Sequence, residues 1–239
     1  MSTRTFKYRS RVKRLPIEGF SKKNSMTKEE MKELFEDNVL IEEKLDGKTF
    51  YLEIGNKIFV GERLDITHTV HYKNLPDSVL FFDVFEEGRF LGPVEKINKI
   101  LEIGGTPVPI IYCGKVENYV EFCKKLVFDE SAFYTDLNPK MKKVLEGINL
   151  EFFKNRKEGI VVKNWKKQLL GKLVNPWFEE IIGSTGRYEG YPNRNVIKLY
   201  RFEDYVKYLY ENVERALRIE IPNKKDVYEK YVTKWRTWF

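Results

Sequence analysis

The chain has 239 residues, one third of them charged, with a formal net charge of +7, long enough to bury a sizeable core as one large domain or a domain with a small appendage. Its two cysteines, Cys113 and Cys123, exclude a disulfide framework, and no apolar stretch approaches the roughly eighteen residues a membrane span requires. The N-terminus lacks a secretory hydrophobic region, so a soluble, cytoplasmic or otherwise intracellular protein is expected.

The first 25 residues hold Arg4, Lys7, Arg9, Arg11, Lys13, Arg14, Lys22 and Lys23 against the single Glu18. With Phe6 and Tyr8 interleaved, this arm reads either as a grip on a phosphate backbone or as a solvated extension. Thr27-Lys28-Glu29-Glu30 is a capping box opening a helix that carries Met31, Leu34 and Phe35 on one face. After the apolar pair Leu40-Ile41 comes Glu43-Lys44-Leu45-Asp46-Gly47, followed by a strand over Thr49 to Ile54. The turn pair Gly55-Asn56 makes a hairpin whose second strand ends at Arg63 and returns it toward Lys44.

Val79 to Phe85 is an apolar run broken by Asp83, the pattern of a buried strand that also offers an aromatic for stacking on a base. Pro93 opens a helix with Val94, Ile97, Ile100 and Leu101 at helical spacing, stopped by Gly104-Gly105. A third helix is expected from Glu117 to Leu126, then a strand in Lys157-Glu158-Gly159-Ile160-Val161-Val162-Lys163 and a short apolar segment around Lys172. The order of elements predicts antiparallel sheets with helices packed outside, an α+β arrangement. Gly183-Ser184-Thr185-Gly186 and Gly190-Tyr191-Pro192-Asn193 read as a linker. Beyond it, Tyr205, Tyr208, Leu209, Val213, Leu217 and Ile219, then Val227, Tyr231 and Trp235, form helical apolar series more consistent with core than with base platforms.

A lysine with Asp-Gly two positions on has the makings of a nucleophile toward a nucleotide. Free lysine has a pKa of about 10.4, so only on the order of one in a thousand is unprotonated near neutrality. Lys44 therefore needs neighbouring cations, a metal or other lysines, to depress its pKa before its amine attacks phosphorus. Asp46 is placed to bind a sugar or orient the lysine, and Gly47 to admit close approach of a ligand or a positive φ. His68 and His71 lie three apart, but no Cys or carboxylate at ligand spacing completes a metal site, so they read as surface or loop histidines. The Lys166-Lys167 pair reads either as a solvated turn or as part of a triphosphate pocket.

Taken in order, these segments resemble the covalent nucleotidyltransferases, the ATP-dependent DNA and RNA ligases and mRNA capping guanylyltransferases. Lys44-Leu45-Asp46-Gly47 matches the family's nucleophile motif, Arg63 the arginine after it, and Phe82-Asp83 the motif whose aromatic stacks on the purine. Glu158-Gly159 matches the metal-associated carboxylate motif and Lys172 the lysine that contacts the α-phosphate. Lys172-Leu173-Val174-Asn175-Pro176-Trp177-Phe178-Glu179 and Pro107-Val108-Pro109-Ile110-Ile111 look most like nick-sealing phage and editing-type RNA ligases. Val174 stands where that motif has a second lysine, a contact left to Lys163, Lys166 or Lys167. The family's ribose-binding Gly-Glu pair is absent between Arg63 and Phe82, leaving Glu62, Asp65 or Asp83 as substitutes.

The resemblance implies an ATP-grasp-like nucleotidyltransferase domain over residues 1–182, with two antiparallel sheets forming a cleft, and a small helical C-terminal domain over 183–239. The segment is too short for the oligonucleotide-binding β-barrel of DNA ligases and capping enzymes. It further implies Lys44 as nucleophile; Glu43, Asp46, Gly47, Arg63, Phe82, Lys163 and Lys172 as nucleotide-binding residues; and Glu158 and Asp83 as metal carboxylates. The implied activity is ATP-dependent RNA ligation with Mg²⁺ or Mn²⁺, acting on RNA with 5′-phosphate and 3′-hydroxyl ends, with DNA ends an open alternative. No membrane or protein partner is expected. A capping-type guanylyltransferase using GTP and a non-catalytic nucleic-acid-binding protein are the rival readings.

Overall fold

The computed structural model describes residues 12–185 apart from 74 and 148, together with 191–192 and positions 211, 214 and 215. The arm as far as Arg11 and nearly all of the expected C-terminal domain, including its apolar series, lie outside the described residues. In chain order the elements are β1 (Lys13–Arg14), α1 (Lys28–Leu34), β2 (Val39–Lys44), β3 (Lys48–Ile54), β4 (Lys57–Arg63), β5 (Ile66–Thr67) and β6 (Val70–Tyr72). Then come β7 (Val79–Glu86), β8 (Arg89–Phe90), α2 (Pro93–Glu102), β9 (Thr106–Pro107), β10 (Ile110–Gly114), α3 (Tyr119–Phe128), β11 (Thr135–Leu137) and α4 (Pro139–Val144). After a 3₁₀ turn at Glu151–Phe153, β12 (Gly159–Asn164), β13 (Leu169–Val174), α5 (Pro176–Thr185) and β14 (Tyr191–Pro192) complete the series.

The first sheet has the order β1-β13-β12-β2-β10 and the second β3-β4-β7-β8, with β9 beside β7. Two short ribbons, β6 with β11 and β5 with β14, flank them. The mixed α+β class and the predominance of antiparallel pairing agree with the sequence pattern. Two edges differ: β1 runs parallel to β13 and β9 parallel to β7. The second follows from connectivity, since β8 and α2 lie between β7 and β9, and a connection of that length can bring the chain back in the same direction, which a tight hairpin cannot.

The local signals explain the elements. Thr27 Oγ1 accepts the Glu30 N–H at 3.1 Å while Glu30 Oε2 accepts the Thr27 N–H at 2.9 Å, closing the capping box of α1. Gly55 turns the β3–β4 hairpin with φ +61°, and Pro93 takes the first turn of α2. The third helix starts and ends two residues later than its apolar spacing predicts, over Tyr119–Phe128. α5 continues through Gly183 to Thr185, where the composition begins to read as linker.

Strand alternation sorts β2 into two faces. Val39 and Ile41 pack into a core with Met31 and Leu34 of α1 and Cys123 and Val127 of α3. Leu40 packs on the opposite face, in the core that also holds Leu80, Ile97 and Val108. Glu42 and Lys44 share Leu40's parity, so the strand carries these two charges onto the face turned toward the second sheet. β12 and β13 follow the same rule: Ile160, Val162 and Leu173 lie on the helix side, leaving Val161, Lys163 and Lys172 for the other. The packing at Gly171 is close: a Cβ there would come within 2.5 Å of Leu15 Cδ2 and 3.0 Å of Leu34 Cδ2, so those side chains would have to shift.

Candidate active site

A cavity of about 300 Å³ opens between the two sheets. Glu42, Glu43, Lys44, Val161, Lys163 and Lys172 line it from the first sheet, Thr49, Tyr51, Glu62 and Phe82 from the second, together with Val12, Leu45 and Val108. In register, Val161 of the central strand β12 stands between Glu42 of β2 and Lys172 of β13, while Gly159 stands opposite Lys44. Lys44 and Lys172 are thus two strands apart, on the order of 10 Å across the sheet.

Lys44 ends β2, and its Nζ forms an ion pair with Glu158. Burial alone lowers the pKa of this ammonium, but the carboxylates of Glu158, Asp46 and Glu62 outweigh it and hold Lys44 above the ordinary lysine value. That differs from the depression the sequence leads one to expect: the protein's own groups around Lys44 are mostly anions. The complementary strain falls on the carboxylates. Burial pushes Glu158 up to about 7 despite Lys44, and burial likewise pushes Glu62 up to about 7. Lys172 is lowered, first by burial and then by Lys44 and Arg14.

Asp46 and Gly47 support the loop instead of lining the cavity. The Asp46 carboxylate accepts the N–H groups of Thr69 at 2.6 Å and Val70 at 2.9 Å, and the Asp46 N–H donates to the Tyr72 hydroxyl at 2.9 Å. Gly47 donates its N–H to Glu62 Oε1 at 3.0 Å. Its lack of a side chain is required by close backbone approach, since a Cβ would lie 2.3 Å from the Arg63 carbonyl oxygen. Glu43 is among the residues lining the cavity, but its carboxylate is bound by Ser131 and the Ala132 N–H (2.9 Å); burial raises its pKa. The Arg63 side chain is half-exposed and paired with Asp65 at 3.0 Å, away from the cavity lining.

Phe82 is brought into the cavity by a β-bulge. Val60 pairs with Asp83 and Gly61 with Phe81, so Phe82 is the extra residue on β7. The bulge shifts the phase of the strand, letting the consecutive Phe82 and Asp83 both face the first sheet. It also takes the Phe82 carbonyl out of the ladder, and two lysines supply its donors: Lys163 Nζ at 2.7 Å and Lys96 Nζ at 3.0 Å. Lys163 also pairs with Asp83 at 2.8 Å and Glu42 at 2.6 Å, and lies 5.2 Å from the Phe82 ring centroid. Lys96, from α2, pairs with Glu42. All four charged side chains are at most 3 % exposed.

The cavity therefore gathers Lys44, Phe82, Lys163 and Lys172, with Glu158 reaching it through Lys44. Asp83 is turned to Lys163 and does not line it. Lys166 and Lys167 sit in the β12–β13 turn, their N–H groups held by Asn164 Oδ1 and their side chains paired with Asp37 and Glu36, which is the solvated-turn reading. His68 and His71 are buried, not superficial, and His71 Nδ1 lies 3.0 Å from Thr67 Oγ1. Among the described residues no three His, Cys, Asp or Glu side chains form a metal cluster. Both cysteines are free and buried, their thiols pushed up to about 12 by burial.

Sequence reading missed Glu42, Thr49, Tyr51 and Lys96. Glu42 was recoverable from its parity with Lys44, whereas nothing local marks Lys96, a lysine within an amphipathic helix. No helix among the described residues is long and apolar enough to cross a membrane. Comparison with curated proteins and with solved structures finds no match. The family model for RNA ligase matches residues 20–177, a span from before α1 into the start of α5 that includes the whole lysine-lined cavity apart from Val12. That span is more than half of the chain, and the chain belongs to the RNA ligase family.

Proposed function

We propose that this protein is an ATP-dependent RNA ligase that joins an RNA 3′-hydroxyl to a 5′-phosphate through a covalent lysyl-AMP and an adenylylated RNA. The observation that carries this reading is the placement of Lys44 beside Glu158 and on the same sheet face as Lys172, across a cavity from Phe82. Phe82 offers a stacking surface for the base, with Lys163 fixed behind it, and Lys172 faces the region where the α-phosphate meets Lys44. In the first step the Lys44 ammonium gives up its proton to solvent and the free amine attacks the α-phosphorus; an N–P bond forms and the P–O bond to pyrophosphate breaks. Lys172 donates to the phosphate oxygens as charge grows on them. The AMP then passes to the RNA 5′-phosphate oxygen, freeing Lys44, and the 3′-hydroxyl displaces AMP to form the phosphodiester.

Glu158 is the residue suited to Mg²⁺ or Mn²⁺: it is a hard oxygen donor already holding a cation, the Lys44 ammonium. Glu158 would hold such an ion, which would supply positive charge to the phosphate oxygens. Glu43, Asp46 and Gly47 act by shaping the nucleophile loop and its strand, and Asp83 by fixing Lys163. The test is incubation with α-labelled ATP or GTP and Mg²⁺, followed by a denaturing gel, with Lys44→Ala as control. Label from ATP that is absent in Lys44→Ala and chased by pyrophosphate or 5′-phosphorylated RNA is expected. Label from GTP moves the reading to a capping-type enzyme, and label from neither overturns catalysis.

A further inference from the structure

Away from the cavity, the β6–β11 ribbon carries a second concentration of charge. Val70 and Tyr72 of β6 belong to the core. Lys73, the next residue, continues the ribbon through its N–H to the Tyr134 carbonyl at 2.9 Å and follows Tyr72 onto the opposite face by alternation. Asp136, paired in register with His71, accepts hydrogen bonds from Lys73 Nζ at 3.0 Å and Lys142 Nζ at 2.5 Å. Lys142 comes from α4, which also carries Lys140 and Lys143. Lys73 and Lys142 thus share one carboxylate that is 7 % exposed, while the Lys73 side chain is 50 % exposed and Tyr134 is 57 % exposed. The adjacent Lys154 is neutralised by Glu151 at 2.7 Å.

We propose that this face binds the phosphate backbone of the RNA substrate, with Lys73 and Lys142 on phosphates and the Tyr134 ring against a sugar or base. The proposal rests on the ligase reading. Each ammonium has three donors and spends one on Asp136, so the carboxylate holds both lysines in place with donors directed outward. Lysines already ordered lose less side-chain freedom on binding than free ones. An exposed aromatic among them supplies the sequence-tolerant stacking that single strands use. The ribbon is also fixed to the nucleophile loop, through Asp46 to Thr69 and Val70 and through Tyr72 to the Asp46 N–H. A strand held on this face is thereby registered to Lys44.

The test compares wild type with Lys73→Gln/Lys142→Gln, which keeps donors for Asp136 but removes charge, with Lys140→Ala/Lys143→Ala and with Tyr134→Ala. Two quantities are measured: label from α-labelled ATP on the protein, which needs no RNA, and the affinity for a 5′-phosphorylated nicked RNA duplex across salt concentrations. Expected are unchanged self-labelling, about tenfold weaker RNA binding for the Gln pair near 0.1 M salt, and a slope of log K against log salt reduced by about 1 to 2. Unchanged affinity and slope in all three labelling-competent variants overturns the proposal. If the wild type takes no label, the ligase reading fails separately, and RNA affinity alone still decides this face.

Discussion

Lys44 is surrounded by more negative charge than a nucleophilic lysine is expected to need, and the strain is shared with its neighbours. Glu62 is partly buried, accepts the Gly47 N–H on one oxygen, and is pushed up to about 7 by burial against a reference of 4.5. Below pH 4.5 the carboxyl is protonated in folded and unfolded chains alike. Between 4.5 and 7 the folded chain binds the proton more tightly, so stability falls as pH rises; above 7 the full penalty is present. Glu62→Gln keeps the acceptor for Gly47 and removes the titration. Its stability relative to wild type should rise between pH 4.5 and 7, by on the order of 3 kcal/mol if the whole shift is expressed. Urea unfolding at several pH values measures it, and a difference independent of pH means that Glu62 ionises in place without penalty.

At the scale of elements, β12 and β13 decide whether Lys44, Glu158 and Lys172 meet. Gly159 lies between Lys44 and Val174 in register, and a Cβ there would come within 2.3 Å of the Leu173 carbonyl oxygen. Backbone cannot give way as a side chain does. Gly159→Ala is expected to lose about 2–4 kcal/mol of stability and to lower ATP labelling of Lys44 at temperatures where the variant is still folded. Normal stability with normal labelling contradicts the crowding. These strands were legible in the sequence because their apolar runs are local signals, as are the Gly55 turn of the β3–β4 hairpin and the capping box of α1, and the placement of Lys44, Lys172 and Phe82 on one cavity was anticipated by their order along the chain. The bulge at Phe82 was not. A strand's period of two assigns Phe82 and Asp83 to opposite faces, and only the offset pairing with Val60 and Gly61 puts both on one. The pairing of Asp83 with Lys163 was not legible either, because the two are 80 residues apart in sequence.

Across the whole molecule, the two sheets are joined behind the cavity by four buried charges from four elements: Glu42 of β2, Asp83 of β7, Lys96 of α2 and Lys163 of β12. Burial lowers the Lys96 pKa, whereas for Lys163 the carboxylates of Asp83 and Glu42 overcome burial and raise it. Two cations and two anions balance, and both lysines also satisfy the carbonyl that the bulge exposes. Removing one member leaves a buried charge without compensation, which generally costs about 3–5 kcal/mol, although an apolar replacement of a whole pair is often tolerated. Lys96→Met alone leaves Lys163 shared between two carboxylates and should lose stability in that range. Lys96→Met/Glu42→Gln leaves the neutral Lys163–Asp83 pair, with Gln still accepting from Lys163, and should recover at least about 2 kcal/mol of the loss. The double-mutant cycle, measured by denaturant unfolding, isolates that coupling. A Lys96→Met loss below about 1 kcal/mol, or strictly additive effects, means that the sheets are held by their apolar cores alone and that the charges do not act as one unit.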